Sequence, residues 1–319
     1  MIKKIGFVGT PQFAVPSLLA LIKSQYQPTI IITQPDKPKG RKLVLTAPPV
    51  KNIGMENGIE VVQPEDINSE EIIERLKSLD LDIIVTISYG GYIGREIRKM
   101  PKYGVINIHP SLLPLYRGST PIQAALLHGD QTTGITIYKL NAQMDAGEIL
   151  YQKRYEIDEE WNFTQLDDIL AEHAGEDLIK FLNLIDKMKS VEDYNAIQIR
   201  QDHDKATLTT KVSRETFQIN WQQSCKDIHN FVRAYSEVPA AYSILNDKEI
   251  KIIRTQMSEN KSKLPIGTIT DIVKNSHFSV ATTDYDLHIL EVKNPGKPVM
   301  TAASFINGAR LKIGDSFGN

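Results

Sequence analysis

The chain has little cysteine: one residue, Cys225, in 319, which excludes an intrachain disulfide and the stapled scaffolds of small secreted proteins. Cys225 sits in a helix-like stretch without a Cys-x-x-Cys partner, which marks a packed thiol rather than a nucleophile. The seven histidines show no His-x-x-x-His or His-x-His pair and no carboxylate triad at ligand spacing, so no metal is expected. No apolar run is long enough to span a bilayer, so no membrane is expected. Met1-Ile-Lys-Lys leads straight into the strand-like Ile5-Gly-Phe-Val, with neither signal-peptide nor transit-peptide character, and a cytoplasmic protein is expected. A dominant charge is also missing, since the formal net charge is −2. The positive bias is confined to residues 206–319, with 14 Lys/Arg against 11 Asp/Glu, an excess that also fits ordinary solvated surface.

What is there is an alternation of strand and helix signals. Strands are predicted at 4–9, 29–33, 59–62, 81–87, 105–108, 134–140 and 149–157, and helices at 14–24, 69–79, 121–128 and 162–188. The run 81–87 is almost continuously apolar, as a strand covered on both faces would be. This βαβ rhythm predicts an α/β fold with a mostly parallel sheet and right-handed crossovers. Residues 189–206 are polar and aperiodic and read as a linker. Beyond them come one helix near 224–235 and short strands at 241–245, 250–254, 267–273, 278–281 and 287–292, which suggest a smaller β-barrel. The expected domains are therefore 1–188 and 207–319, joined by 189–206.

Gly6-Phe-Val-Gly9-Thr-Pro11 lacks the third glycine of a dinucleotide-binding turn, and a tight strand-to-helix turn explains it. The loop 34–51 carries Lys37, Lys39, Arg41, Lys42 and Lys51 against Asp36 alone. It could grip phosphates, and it could equally be a solvated excursion. Two segments carry more chemistry: Asn107-Ile-His109-Pro-Ser-Leu-Leu-Pro114 and Met144-Asp145-Ala-Gly147, each following a strand-like run. A carboxamide, an imidazole and a carboxylate beyond strand ends suit acyl transfer to an amine. Taken singly, each also reads as a turn residue, a loop histidine or an N-cap. Leu113 to Tyr116 and the stretch Ser88-Tyr89-Gly90-Gly91 could wall a pocket for a flat heteroaromatic ring.

The ordered series Asn107, His109, Ser111 to Pro114, Arg117-Gly118, Pro121-Ile-Gln123, Gly134-Ile-Thr136 and Asp145-Ala-Gly147 resembles the folate-dependent formyltransferases. Gly9-Thr-Pro-Gln-Phe-Ala14 and Thr33-Gln-Pro-Asp-Lys-Pro-Lys-Gly-Arg41 are similar to the branch of that family that acts on tRNA. Trp221, Ile228, Arg233-Ala234 and Phe305-Ile-Asn-Gly308 resemble that branch's C-terminal OB-like domain. The chain departs from the pattern at Leu208-Thr-Thr-Lys211, at Tyr138 and Leu140 where Met is common, and at Lys42-Leu-Val after Arg41.

The resemblance implies a Rossmann-like catalytic domain and an OB-like second domain. It implies transfer of the formyl group of 10-formyltetrahydrofolate to the α-amine of methionine on initiator methionyl-tRNA, for translation initiation. Asn107 and His109 would stabilise the oxyanion, and Asp145 would orient His109 and relay the amine proton. Ser88, Tyr89, Gly90, Ser111, Leu112, Leu113 and Pro114 would line the folate pocket. Lys37, Lys39, Arg41, Lys42 and Lys211 would contact the tRNA, with Arg41 entering or prising the terminal base pair. A monomer without metal is expected. Sister readings are formylation of an amino-sugar nucleotide and hydrolysis of the same folate. The Gln34-Pro-Asp36 basic loop argues against both, and the intact trio argues against a non-catalytic RNA-binding protein.

Overall fold

A strand with no polar alternation needs cover on both faces, and the apolar pentapeptides of the N-terminal half are used in that way. The computed structural model describes residues 2–40, 43–209, 215–236 and 239–318. Up to residue 196 the chain runs β1 (Ile5–Gly9), α1 (Val15–Ile22), β2 (Ile30–Ile32), β3 (Lys37–Lys39), β4 (Val44–Thr46), α2 (Pro49–Glu56), β5 (Glu60–Val62), α3 (Glu70–Leu79), β6 (Ile83–Ile87) and α4 (Arg95–Lys99). It continues through β7 (Val105–His109), α5 (Pro121–His128), β8 (Thr132–Lys139), β9 (Ile149–Glu156), α6 (Phe163–Asp186) and α7 (Val191–Ala196). One sheet has the order β5-β2-β1-β6-β7-β8-β9; it is parallel through β7, and β8 and β9 are antiparallel. The mostly parallel, Rossmann-like expectation holds. β1 and β6 are buried along their whole length, whereas edge strand β9 alternates in burial and carries Lys153 and Arg154.

Several elements went unforeseen, α2, the β3–β4 hairpin and α7 among them. Residues 34–51 read as one long loop, but a proline in the first helical turn costs no hydrogen bond, and α2 starts at Pro49. β3 and β4 pair as an antiparallel hairpin inside the basic loop, through Gly40 at φ 70°. The stretch 189–206, read as linker, carries α7, whose Ser190–Asp193 capping box satisfies its N-terminus. Tyr194 of that helix is buried and donates its hydroxyl to the Tyr103 carbonyl at 2.9 Å.

Chain contacts divide the molecule into two compact units. One takes in residues up to 121, 132–156 and 167–209; the other takes in 122–131, 157–166 and those beyond 209. In the second unit, α8 (Cys225–Ala234) precedes β10 (Ala241–Leu245), β11 (Lys248–Lys261), β12 (Ile269–Val273), β13 (His277–Ala281), β14 (Tyr285–Lys293), β15 (Met300–Thr301), α9 (Ala302–Ala309) and β16 (Phe317–Gly318). The antiparallel sheet runs β12-β13-β14-β11-β10-β16, with β15 on β14. It curls until an isolated bridge joins Thr268 to Ser316. Its core gathers Trp221, Ile228, Phe278, Phe305 and Phe317, and the indole N–H of Trp221 donates to Ser243 Oγ at 2.9 Å. Cys225 is buried there and its thiol is pushed up to about 11, chiefly by burial, as a packed thiol should be.

Candidate active site

The end of β7 is where the polar residues collect. In register, Asn107 of β7 lies beside Thr86 of β6 and Tyr138 of β8, so three polar side chains share one face of the sheet. Thr86 Oγ donates to Asn107 Oδ1 at 2.7 Å, and Asn107 Nδ2 donates to the Tyr138 hydroxyl at 3.0 Å. That hydroxyl donates in turn to Asp145 Oδ1 at 2.7 Å, while the Gly118 N–H donates to Asp145 Oδ2 at 2.6 Å. Tyr138 is fully buried, and its phenol is held well above the usual range, first by burial and then by the neighbouring Asp145.

His109 is buried, two positions further along β7 and facing Thr136 of β8. Its Nε2 lies 2.9 Å from the Tyr116 carbonyl, an acceptor only, so Nε2 carries a proton. Nδ1 is then the nitrogen left for chemistry, 3.8 Å from Asp145 Oδ2. Asn107, His109 and Asp145 are therefore together. The ring is oriented by the Tyr116 carbonyl, and the carboxylate by Gly118 and Tyr138.

Asp145 and Tyr116 both adopt left-handed backbone, at φ 50° and 59°. A conformation that costs about 1–2 kcal/mol for an L-residue persists only where the surroundings fix it. Gln201 supplies much of that restraint. Its Nε2 donates to the carbonyls of Asp145 and Gly147 at 2.9 and 2.7 Å, and its Oε1 accepts from buried Arg117 at 3.1 and 2.7 Å. Thr207 and Thr209 add backbone and hydroxyl bonds to Tyr116, Arg117 and Thr120. Gly147 has no room for a side chain, because a Cβ there would overlap the Lys139 carbonyl.

The residues expected to hold folate divide by burial. Ser88, at φ 49°, and Gly90 are exposed at the end of β6, but the Tyr89 side chain is packed in the core. Ser111 is buried, with its hydroxyl donated to the Leu115 carbonyl, and Leu113 is buried too. Leu112 and Pro114 line a cavity of about 400 Å³ together with Leu115, Gln152, Arg154 and Lys205.

In the basic hairpin, Lys37 is exposed, Lys39 lies in β3, and Arg41 and Lys42 fall outside the described residues, as does Lys211. Lys51 is bound by Asp36 at 2.9 Å. With Gln63 Nε2 at 2.7 Å as the stronger influence, this holds the Asp36 carboxyl below its usual range. Among the described residues no group of three His, Cys, Asp or Glu could hold a metal, and no helix is long and apolar enough to cross a membrane.

The reading from sequence missed Thr86, Tyr138 and Gln201. Tyr138 had a signal, as a departure from the family pattern. Thr86 and Gln201 had none, because strand register and a contact 56 residues along the chain are not local properties.

An α/β sheet with an amide, an imidazole and a carboxylate at one strand end, together with a curled antiparallel unit, defines a class of group-transfer protein. Residues 3–182 match the formyl transferase family and residues 211–310 the C-terminal domain of formyl transferases, so the chain belongs to the formyl transferase family. It is 38% identical to the methionyl-tRNA formyltransferase of Thermodesulfovibrio yellowstonii over 314 residues, 98% of each chain. It is 35% identical to that of Clostridioides difficile over 311 residues, again 98% of each. A sugar 3N-formyl transferase solved with dTDP and 5-N-formyl-THF shares the fold. Its TM-score is 0.65 and its identity 19%, over 93% of this chain and 100% of its own. HypX from Aquifex aeolicus, in complex with tetrahydrofolic acid, also shares it, with a TM-score of 0.61 and 15% identity over 100% of this chain and 51% of its own.

Proposed function

We propose that this enzyme transfers the formyl group of 10-formyltetrahydrofolate to the α-amine of methionine on initiator methionyl-tRNA, the step that prepares that tRNA for translation initiation. The observation that carries the reading is the meeting of Asn107, His109 and Asp145 at one strand end, in a chain 98% of which aligns with methionyl-tRNA formyltransferases.

The amine nitrogen attacks the formyl carbon, a C–N bond forms, and the carbonyl oxygen takes up negative charge. Donors already in place there stabilise it without reorganisation, typically by a factor of about 10²–10³ in rate per donor. Asn107 Nδ2 supplies one, and an N–H of His109 supplies another. The carboxylate of Asp145, which accepts from the Gly118 N–H and the Tyr138 hydroxyl, takes the proton the amine loses, directly or through water. The bond to N10 of the folate then breaks, and N10 takes up the proton that Asp145 accepted, directly or through water, which restores the carboxylate. Ser88, Tyr89, Gly90 and the segment Ser111-Leu112-Leu113-Pro114 form the folate side of the site, by backbone where their side chains are buried. Lys37, Lys39, Arg41, Lys42 and Lys211 contact the tRNA. The enzyme acts as a cytoplasmic monomer without metal.

The test is formyl transfer from 10-formyltetrahydrofolate to methionyl initiator tRNA, with elongator methionyl-tRNA alongside. Rapid, initiator-selective formylation supports the reading. Formylation of an amino-sugar nucleotide, or release of formate with no tRNA product, would replace the acceptor.

A further inference from the structure

We propose that Tyr138 is a positioning residue of formyl transfer, whose hydroxyl aims the Asn107 amide N–H at the formyl oxygen and couples that donor to the ionised Asp145. The proposal rests on the formyl-transfer reading above and does not depend on which amine accepts the group.

The argument is a count of hydrogens. A phenol has one hydrogen to donate, and an ionised carboxylate only accepts, so the Tyr138 hydrogen goes to Asp145 Oδ1, 2.7 Å away. The phenol oxygen is then an acceptor toward Asn107, and the atom 3.0 Å from it must be the amide nitrogen. The Thr86 hydroxyl donates to the opposite atom, Oδ1, at 2.7 Å. Both ends of the amide are thereby assigned, and the flipped amide would set Oδ1 against a lone pair. Nδ2 has a second hydrogen, and among the described residues no acceptor takes it. It is the hydrogen offered to substrate.

The chain Asn107 N–H, Tyr138 O–H, Asp145 carboxylate runs in one direction only while Asp145 is ionised. Each bond polarises the next, so the negative charge on Asp145 orders the whole chain. Because Tyr138 is fully buried, water cannot replace it in either role. A side chain without the hydroxyl leaves Nδ2 and Oδ1 of Asp145 each short of a partner and lets the amide turn.

The experiment compares wild type, Tyr138→Phe, Asn107→Ala and the double variant in steady-state formylation of methionyl initiator tRNA. Tyr138→Phe is expected to lower kcat about ten- to a hundredfold, as loss of a fixed reacting geometry does, with KM for both substrates within about twofold. In the Asn107→Ala background the same change is expected to cost under about threefold, because no amide remains to be aimed. Wild-type kcat in Tyr138→Phe, or an equal loss in both backgrounds, would overturn the proposal. If Tyr138→Phe does not fold, by circular dichroism, Thr86→Val frees the other end of the amide and is expected to give the same loss confined to kcat; wild-type kcat there would sink the idea. If the wild type does not formylate the tRNA, the acceptor reading fails. The same variants are then scored on formate release from the folate, where an unchanged kcat in Tyr138→Phe again overturns the role of Tyr138.

Discussion

At the scale of single residues, the site depends on where a few hydrogens sit. Asn107→Ala removes the donor and is expected to cost about 10²–10³ in kcat, with the fold intact by circular dichroism. Asp145→Asn keeps an acceptor for the Gly118 N–H but removes the charge that orders the chain through Tyr138. A loss of at least the same order is expected, and near-wild-type turnover in both variants would end the assignment of roles. His229, in the second unit, lies buried with Nδ1 2.9 Å from Thr255 Oγ. Burial, and next the nearby Arg233 charge, push it down to about 4. The folded value is below the unfolded one, near 6.5. Its contribution to stability is therefore complete above pH 6.5 and is lost as pH falls through 4, amounting to about 3 kcal/mol. Urea titrations between pH 4 and 7 should show this slope in the wild type and lose it in His229→Gln; equal slopes would refute it. That Asn107, His109 and Asp145 were candidates was legible in the sequence because amide, imidazole and carboxylate are chemically conspicuous. The hydrogens of Thr86 and Tyr138 were not, since a Thr or Tyr in a strand usually does no more than pack.

At the scale of elements, the segment 199–209 behaves as a strap rather than a connection. Gln201 alone makes four hydrogen bonds, to Asp145, Gly147 and Arg117. Gln201→Ala leaves buried Arg117 and two carbonyls short of partners, which typically costs about 1–3 kcal/mol per group. A lower melting temperature together with a reduced kcat is the expected result; an unchanged kcat at lower stability would confine the residue to folding. Strands and long helices were readable from periodicity, and α5 falls at the residues expected for it. What escaped was short or context-made. The β3–β4 hairpin and α2 arise from turn and proline geometry, and α7 is held by a capping box and one buried tyrosine.

At the scale of the whole molecule, a net charge of −2 cannot draw in a polyanion, so RNA capture has to come from local basic patches. Such contacts release counterions, and KM for the tRNA is expected to rise steeply between about 50 and 200 mM salt while kcat changes little. A KM that does not respond to salt would count against the hairpin and Lys211 as the RNA contacts. The sequence by itself determined the α/β class, the antiparallel second unit and the presence of an amide, an imidazole and a carboxylate after strand-like runs, because burial periodicity and side-chain chemistry are local. The tertiary structure alone decided which hydrogen each of those groups offers. That choice follows from strand register, which sets Thr86, Asn107 and Tyr138 side by side, and from Gln201 closing on a loop distant in the chain. A hydrogen bond is settled by the partner on the other side, and the partner's place is fixed only when the sheet has formed.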